Sequence, residues 1–397
     1  MEFADIRFLV VEDHPFQRWL IANQLREMGA KGVLTAVDGN SALEIMSGPG
    51  PPIDIVISDL DMPGMDGMAL IRNIAERDRA ISLIVVSAAD SALIGAVETM
   101  ARAYGVTLLG SIQKPLIAKK LQPLIEGRAH LFAPHEARHL EFSRSEIAAG
   151  LRAGQFETYF QPKVEIQGGG MRGAEALVRW RHPDKGVISP AHFIDVIEEG
   201  GLTDTLLEKV ARDAMANCLE WQHNGHAMTV AVNLSPKSLA DIALADRMLS
   251  LAQEADFDPH HLVLEVTESA ATQDIGRELE ILSRLRTRGF GLSIDDYGTG
   301  YSSMKKLARV PFTELKIDRI FVKRSLTQPS SRAMVESSLE LAHKLGISAV
   351  AEGVETRDEW SLLRELGCTL AQGYFIAPPM CASDFTDWIK IRQLGSA

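Results

Sequence analysis

Short apolar runs that stop abruptly on a carboxylate or an amide recur along this 397-residue chain, and they constrain its fold more than any other feature. Gly289-Phe290-Gly291-Leu292-Ser293-Ile294 ends on two adjacent acids, Asp295 and Asp296, before Tyr297-Gly298-Thr299-Gly300. Glu175 closes Gly173-Ala174, and Asn233 closes Val230-Ala231-Val232. Glu265 follows Leu262-Val263-Leu264, and Glu352 follows Ile347 to Ala351. A buried strand that delivers a carboxylate to its end is unfavourable unless something cationic meets it there. One such end fits a salt bridge; five suggest a shared polyvalent metal site.

The first part of the chain repeats the pattern with a β/α rhythm. Ile6–Val11, Ile53–Ser58, Leu83–Ser87 and Val106–Ile112 read as buried strands. Pro15–Met28 reads as a helix with Pro15 at its start and Gly29 as its stop. Such alternation predicts a doubly wound, flavodoxin-like parallel sheet with ligands beyond the carboxyl ends of the strands. Those ends carry Glu12-Asp13, Asp59, Ser87 and Lys114-Pro115.

At this length the chain should hold two or three domains, because single cores stop growing near about 250–300 residues. The formal charge of −12, with no basic run, excludes a nucleic-acid-coating protein and predicts no DNA partner. Cys218, Cys368 and Cys381 are scattered and odd in number, which fits buried thiols in a reducing compartment. No apolar run reaches the roughly 18 residues of a membrane span. The first residues lack a basic signal-peptide start, so the expectation is a cytoplasmic protein without membrane insertion.

Over about residues 5–125 this constellation resembles the receiver domain of two-component response regulators. The resemblance implies that Glu12, Asp13 and Asp59 hold Mg²⁺ and that Asp59, in Ile57-Ser58-Asp59-Leu60-Asp61-Met62-Pro63-Gly64, is the phosphoacceptor. A carboxylate attacking a phosphoryl group needs a divalent ion to cancel the repulsion and a lysine, here Lys114, to pair with the phosphoryl oxygens. Ser87 would donate its hydroxyl to the same group. Receivers usually carry an aromatic three residues before the lysine; here that position is Ser111, which puts the usual output switch in doubt. A sensor histidine kinase is the implied partner.

Between Leu116 and Phe142 the pattern loosens, and the histidines at 130, 135 and 139 read as part of a solvated linker. Ser143-Arg144-Ser145-Glu146 is a capping-box sequence that starts a helix through Gly150. The expected division is therefore a receiver over 1–126, a linker over 127–142 and a second domain over 143–397. That domain opens with a hairpin, Phe156–Ile166 and Met171–Trp180, joined by Gly168-Gly169-Gly170. Strands then alternate with helices at Met228–Leu234, His261–Thr267, Gly291–Asp295, Glu314–Ile317, Ser348–Glu352 and Ala371–Ile376. About 250 residues with this rhythm predict a TIM-like (β/α)8 barrel, here with an antiparallel first strand.

Over about residues 143–390 the chain resembles the EAL domain, a family of cyclic-di-GMP phosphodiesterases. The resemblance rests on an ordered set. It comprises Gln161-Pro162, Glu175-Ala176-Leu177-x-Arg179, Asn233-Leu234-Ser235, Glu265-x-x-Glu268, Asp295-Asp296-x-Gly298-x-Gly300, Lys316-x-Asp318, Glu352-Gly353-Val354-Glu355 and Gln372-Gly373. It implies one divalent ion on Glu175, Asn233, Glu265 and Asp295, and a second bridged by Asp295 to Asp296 and Glu352. Hard oxygen ligands suit Mg²⁺ or Mn²⁺, and two such ions acidify a bridging water and hold a phosphate oxygen. Glu352, Lys316 and Glu175 are the implied catalytic residues, with Glu352 either general base or metal ligand. Arg179, Gln161, Gln372, Asp318 and Glu355 would face the substrate, and Glu268 would tether the loop Tyr297–Ser303. The expected function is hydrolysis of cyclic-di-GMP to linear pGpG under control of Asp59 phosphorylation, in a homodimer or higher homo-oligomer. A cyclic-di-GMP receptor that binds without cleaving is the alternative; such receptors usually lose metal ligands, and none is lost here.

Overall fold

The computed structural model describes residues 3–48, 50–77, 81–87, 91–114, 116, 120–125, 142–267, 274–298 and 307–394. The chain separates into two compact units, Met1–Arg138 and His139–Ala397. Glu268, Pro115, Thr299–Ser303, the three linker histidines and most of 127–142 lie outside the described residues.

The first unit is a five-stranded parallel sheet in the order β2-β1-β3-β4-β5. The strands are β1 (Arg7–Val11), β2 (Gly32–Ala36), β3 (Ile55–Asp59), β4 (Ser82–Ser87) and β5 (Thr107–Gln113). Alternate residues of one strand enter different cores: Leu9, Val11 and Val56 pack on one face, Phe8, Val10 and Ile57 on the other. Both faces are therefore covered, as a doubly wound sheet requires. Pro15–Glu27 is helical with Met28 as its C-cap, and Gly29 follows at φ 103°.

β2 was not expected. It is an edge strand with only Ala36 buried, so its sequence lacks the apolar run that marks the central strands. In β5 the register with β4 slips between Leu83 and Ile84, placing Gly110 opposite Ile84. Ser111 donates to Glu98 Oε1 at 2.7 Å, so the position of the usual aromatic is tied to the helix Ser91–Ala103.

The second unit is a closed barrel of eight strands, flanked by two short ones. The eight are β6 (Phe156–Glu165), β7 (Met171–His182), β9 (Thr229–Asn233), β10 (Leu262–Thr267), β11 (Gly291–Tyr297), β12 (Glu314–Ile317), β13 (Ser348–Ala351) and β14 (Leu370–Ala371). β8 (Gly186–Ile188) extends β7, and β15 (Met380–Cys381) pairs with β6. The first strand, β6, runs antiparallel to both β7 and β14 and closes the barrel. The remaining neighbours are parallel.

Alternation decides what each barrel strand presents. Ala174, Ala176, Val232, Leu264, Val266, Leu292, Ile294, Leu315 and Ile317 join one apolar core with residues of the surrounding helices. The intervening positions include Glu175, Glu265, Asp295 and Lys316, all buried and on the opposite face. Two expectations need correction. The last strand covers only Leu370–Ala371, because Gly373 is drawn so close to Val354 that a Cβ there would stand 2.2 Å from its carbonyl oxygen. At the helix Arg144–Arg152, Ser143 Oγ accepts the Glu146 amide, while the Glu146 carboxylate faces His182 at 3.4 Å.

All three cysteines are free; burial pushes the Cys218 and Cys368 thiols up to about 12. Among the described residues no helix is long and apolar enough to cross a membrane.

Candidate active site

The carboxyl ends of the barrel strands converge on one ammonium group. Lys316 on β12 is 1% exposed, and its Nζ lies 2.7 Å from Glu352, 2.9 Å from Glu265, 3.2 Å from Asp295 and 3.4 Å from Glu175. Asn233 donates to Glu175 Oε1 at 2.9 Å. Gln372, directly after β14, donates to Glu175 Oε2 at 2.6 Å and to Gln161 Oε1 at 2.9 Å. Its own Oε1 is buried with no hydrogen-bond partner among the described residues. Gln161 in turn donates to the Ala377 carbonyl at 3.1 Å.

Asp295 and Asp296 are consecutive, so a regular strand would send them to opposite faces. They reach one site because β11 bulges against β12. Ile294 pairs with Leu315 and Tyr297 with Ile317, leaving the two acids as the irregularity. Asp296 takes φ 54°, a left-handed conformation that is costly for a non-glycine residue. The Asp295, Asp296 and Glu352 carboxylate oxygens then lie within 4.8 Å of one another. Asp318 caps the helix Arg319–Arg324 by accepting the Ile320 amide at 2.7 Å, and it also hydrogen-bonds Asp296.

The charges do not balance. Burial pushes the Glu352 carboxyl up to about 8; Lys316 opposes this, and Asp295 and Glu175 add to it. Burial, Asp295 and Asp318 together push Asp296 up to about 7. Glu175 and Asp295 are also raised, burial being the largest cause for each. Glu265 is the exception. Against its burial, Lys316 and a second lysine, Lys163, hold it down to about 2. Lys316 itself is held well above its ordinary value by Glu175, Glu265, Glu352 and Asp295, although burial acts the other way.

Some expected site residues stand apart from this cluster. Arg179, half-buried on β7, has its guanidinium 5.8 Å from the Tyr159 ring centre, and burial lowers its pKa. Glu355 pairs with the exposed Lys323 at 3.0 Å rather than with the residues around Lys316. Two buried residues were missed: Lys163 on β6, 2% exposed, and Glu314 on β12, 2.8 Å apart. Their signal was available in the sequence, since each is a charge in a strand otherwise destined for burial.

The first unit carries its own acid cluster. Carboxylate oxygens of Glu12, Asp13 and Asp59 lie within 4.8 Å of one another at the ends of β1 and β3. Lys114 Nζ is 2.6 Å from Asp59 Oδ2 and 3.0 Å from Glu12. The other Asp59 oxygen accepts the Leu60 amide at 2.7 Å. Burial raises Glu12 despite the Lys114 hydrogen bond. Ser87 is buried at the end of β4, where its carbonyl accepts the Lys114 amide at 2.9 Å.

Comparison with known proteins agrees with this division. The EAL domain family profile matches residues 144–379, and the response regulator receiver domain profile matches residues 8–126. The chain is 38% identical over 388 residues to the cyclic di-GMP phosphodiesterase RocR of Pseudomonas aeruginosa, taking in 97% of this chain and 98% of RocR. It is 40% identical over 238 residues to MucR of the same organism, a bifunctional diguanylate cyclase/cyclic di-GMP phosphodiesterase; that match covers 60% of this chain and 35% of MucR. Among solved structures, the PaMucR phosphodiesterase in complex with c-di-GMP superposes with TM-score 0.58 at 39% identity, covering 61% of this chain and 98% of that one. An EAL enzyme with cAMP and cyclic-di-GMP bound gives TM-score 0.59 at 28% identity, over 68% of this chain and 73% of that one. The chain belongs to the EAL domain family and carries a response regulator receiver domain in the same polypeptide.

Proposed function

We propose that this protein hydrolyses cyclic-di-GMP to linear 5′-pGpG at the mouth of its barrel, under control of phosphorylation at Asp59. The observation that carries the reading is the bulge that turns Asp295 and Asp296 together toward Glu352. It occurs in a chain that aligns with a cyclic di-GMP phosphodiesterase over nearly its whole length.

The residues present fit divalent cations. Lys163 and Lys316 face Glu175, Glu265, Glu314, Asp295, Asp296 and Glu352, a large excess of hard oxygen donors over positive charge. Glu175, Asn233, Glu265 and Asp295 would hold one Mg²⁺ or Mn²⁺, and Asp295, Asp296 and Glu352 a second. When bound, these ions neutralise the diester and acidify the attacking water. Lys316 keeps a fixed positive charge beside Glu352 and favours the anionic form of the nucleophile. Glu352, held 2.7 Å from Lys316 Nζ at the end of β13, would accept the proton from that water. Gln372, whose Oε1 has no hydrogen-bond partner among the described residues, would accept a hydrogen bond from that water and orient it. Arg179 offers planar donors to the second phosphate. In-line attack then breaks the bond to the 3′-oxygen and leaves a 5′-phosphate.

In the receiver, Glu12, Asp13 and Asp59 would hold Mg²⁺. Asp59 would take the phosphoryl group from a sensor histidine kinase, with Lys114 and Ser87 against its oxygens. Domain limits of 1–126 and 143–397 are supported by the two profile matches. Incubating the protein with cyclic-di-GMP and Mn²⁺ should yield pGpG, and Glu352→Gln should retain binding while losing turnover by at least about a hundredfold. Binding without any pGpG from the parent protein would favour a receptor instead.

A further inference from the structure

Beneath the carboxylates, the barrel holds a second ion pair that the proposed hydrolysis does not use. Lys163 Nζ stands 2.8 Å from Glu314 Oε1 and 3.0 Å from Glu265 Oε1, and all three side chains are buried. The other Glu265 oxygen, Oε2, faces Lys316 at 2.9 Å. Glu314 lies two residues before Lys316 on the same face of β12, hence one layer deeper in the barrel. Lys163 lies two residues from Gln161 on β6. The pair is the floor of the candidate active site.

Such a floor is not needed for packing. Barrel interiors of this kind are ordinarily filled by branched apolar side chains, and replacing a buried ion pair with apolar residues is often neutral or stabilising. What Lys163 does that a leucine does not is hold one oxygen of Glu265 from below. Without it, Lys316 would be the one cation left beside Glu265 among the described residues. That lysine would be drawn toward Glu265 and away from Glu175, Asp295 and Glu352. Glu314 meets the remaining charge of Lys163, and the lysine's own bond to Glu265 gives that carboxylate a defined orientation before any ion arrives.

We propose that Lys163 is a positioning residue that fixes the Glu265 carboxylate so that its Oε2 alone faces the metal-binding cluster. This rests on the reading of that cluster as a divalent-metal site. Outer partners that orient a metal ligand are commonly worth about 10–100-fold in metal affinity.

The test is Mn²⁺ titration of the full-length protein by calorimetry, with cyclic-di-GMP turnover and thermal midpoint measured alongside. Lys163→Met/Glu314→Gln removes both charges and leaves neither uncompensated, whereas Glu314→Gln alone keeps Lys163 on Glu265. The double variant is expected to keep a midpoint near the parent's while its Mn²⁺ affinity and turnover fall about tenfold or more; Glu314→Gln should stay within about threefold of the parent. Lys163→Arg, which restores a cation, should recover part of the affinity. Should the double variant not fold, Lys163→Gln takes its place with the same expected loss. Parent-like Mn²⁺ affinity without the lysine overturns the proposal, as does an equal loss in Glu314→Gln. A parent protein that binds no Mn²⁺ overturns the metal reading beneath it, a distinguishable result.

Discussion

At the scale of single residues, the site is a contest for one lysine. Lys316 compensates Glu265 together with Lys163, but Glu352, Asp295 and Glu175 share what remains, and their carboxyls are raised. A carboxyl whose pKa is higher folded than unfolded binds more protons in the native state, so it adds stability at low pH and loses it as pH rises. For Glu352 the window runs from its ordinary 4.5 up to about 8, and for Asp296 from 3.8 up to about 7. The metal-free protein should therefore lose thermal stability between about pH 5 and 8. Excess Mn²⁺ should flatten that slope, because ligands must shed protons to bind. Melting curves in EDTA and in Mn²⁺ across that range check this; a metal-free midpoint that rises with pH would contradict it. The acids of this contest were legible as strand-end residues. Lys163 and Glu314 were not singled out because both sit inside strands, where periodicity gives the face but not which charges meet across the barrel.

At the scale of elements, loops rather than strands complete the site. Gln372 donates its amide to the Ala351 carbonyl at 2.9 Å, and Val354 donates to the Gln372 carbonyl at 3.1 Å, so the segments after β13 and β14 are laced together. Gly373 makes this possible, since a Cβ there would lie 2.3 Å from Val354 N. Gly373→Ala should push these segments apart, lowering stability by about 1–3 kcal/mol by urea denaturation and reducing turnover with it. Gly95→Ala, in a receiver helix with nothing within 4 Å of the added Cβ, should leave both nearly unchanged or slightly raise stability. Equal effects of the two substitutions would refute this account of Gly373. The central strands were legible from their apolar runs. Ala371–Ile376 was read too long because the close approach of Gly373 to Val354 is a long-range fact with no local signature. The bulge at Asp295–Asp296 was foreshadowed only by two adjacent acids at a strand end; the left-handed φ of Asp296 needed the neighbouring strand to be seen.

At the scale of the whole molecule, one chain holds an acid cluster around Asp59 and another around Lys316, and the two parts were legible because each announces itself by ordered motifs. If the first controls the second, turnover with an acyl phosphate and Mg²⁺ should differ from turnover without it, and Asp59→Asn should abolish the difference while sparing basal turnover. Identical rates in all three conditions would end the idea of coupling. The missing aromatic was legible as Ser111; its bond to Glu98, which ties that position to the helix Ser91–Ala103, was not. The antiparallel strand β6 has a further consequence, which concerns time. It pairs with β7, the next strand in sequence, but also with β14, and Gln161 meets Gln372 across 211 residues of sequence. Lys163 waits likewise for Glu314, 151 residues later. A nascent chain therefore carries Lys163 for 102 residues before Glu265 is made and for 151 before Glu314 is. Closing the barrel through β6 and β14 requires contacts of long sequence separation, which are formed slowly. Any nick or truncation that frees β14 leaves not a weakened catalyst but an open sheet with its charges exposed.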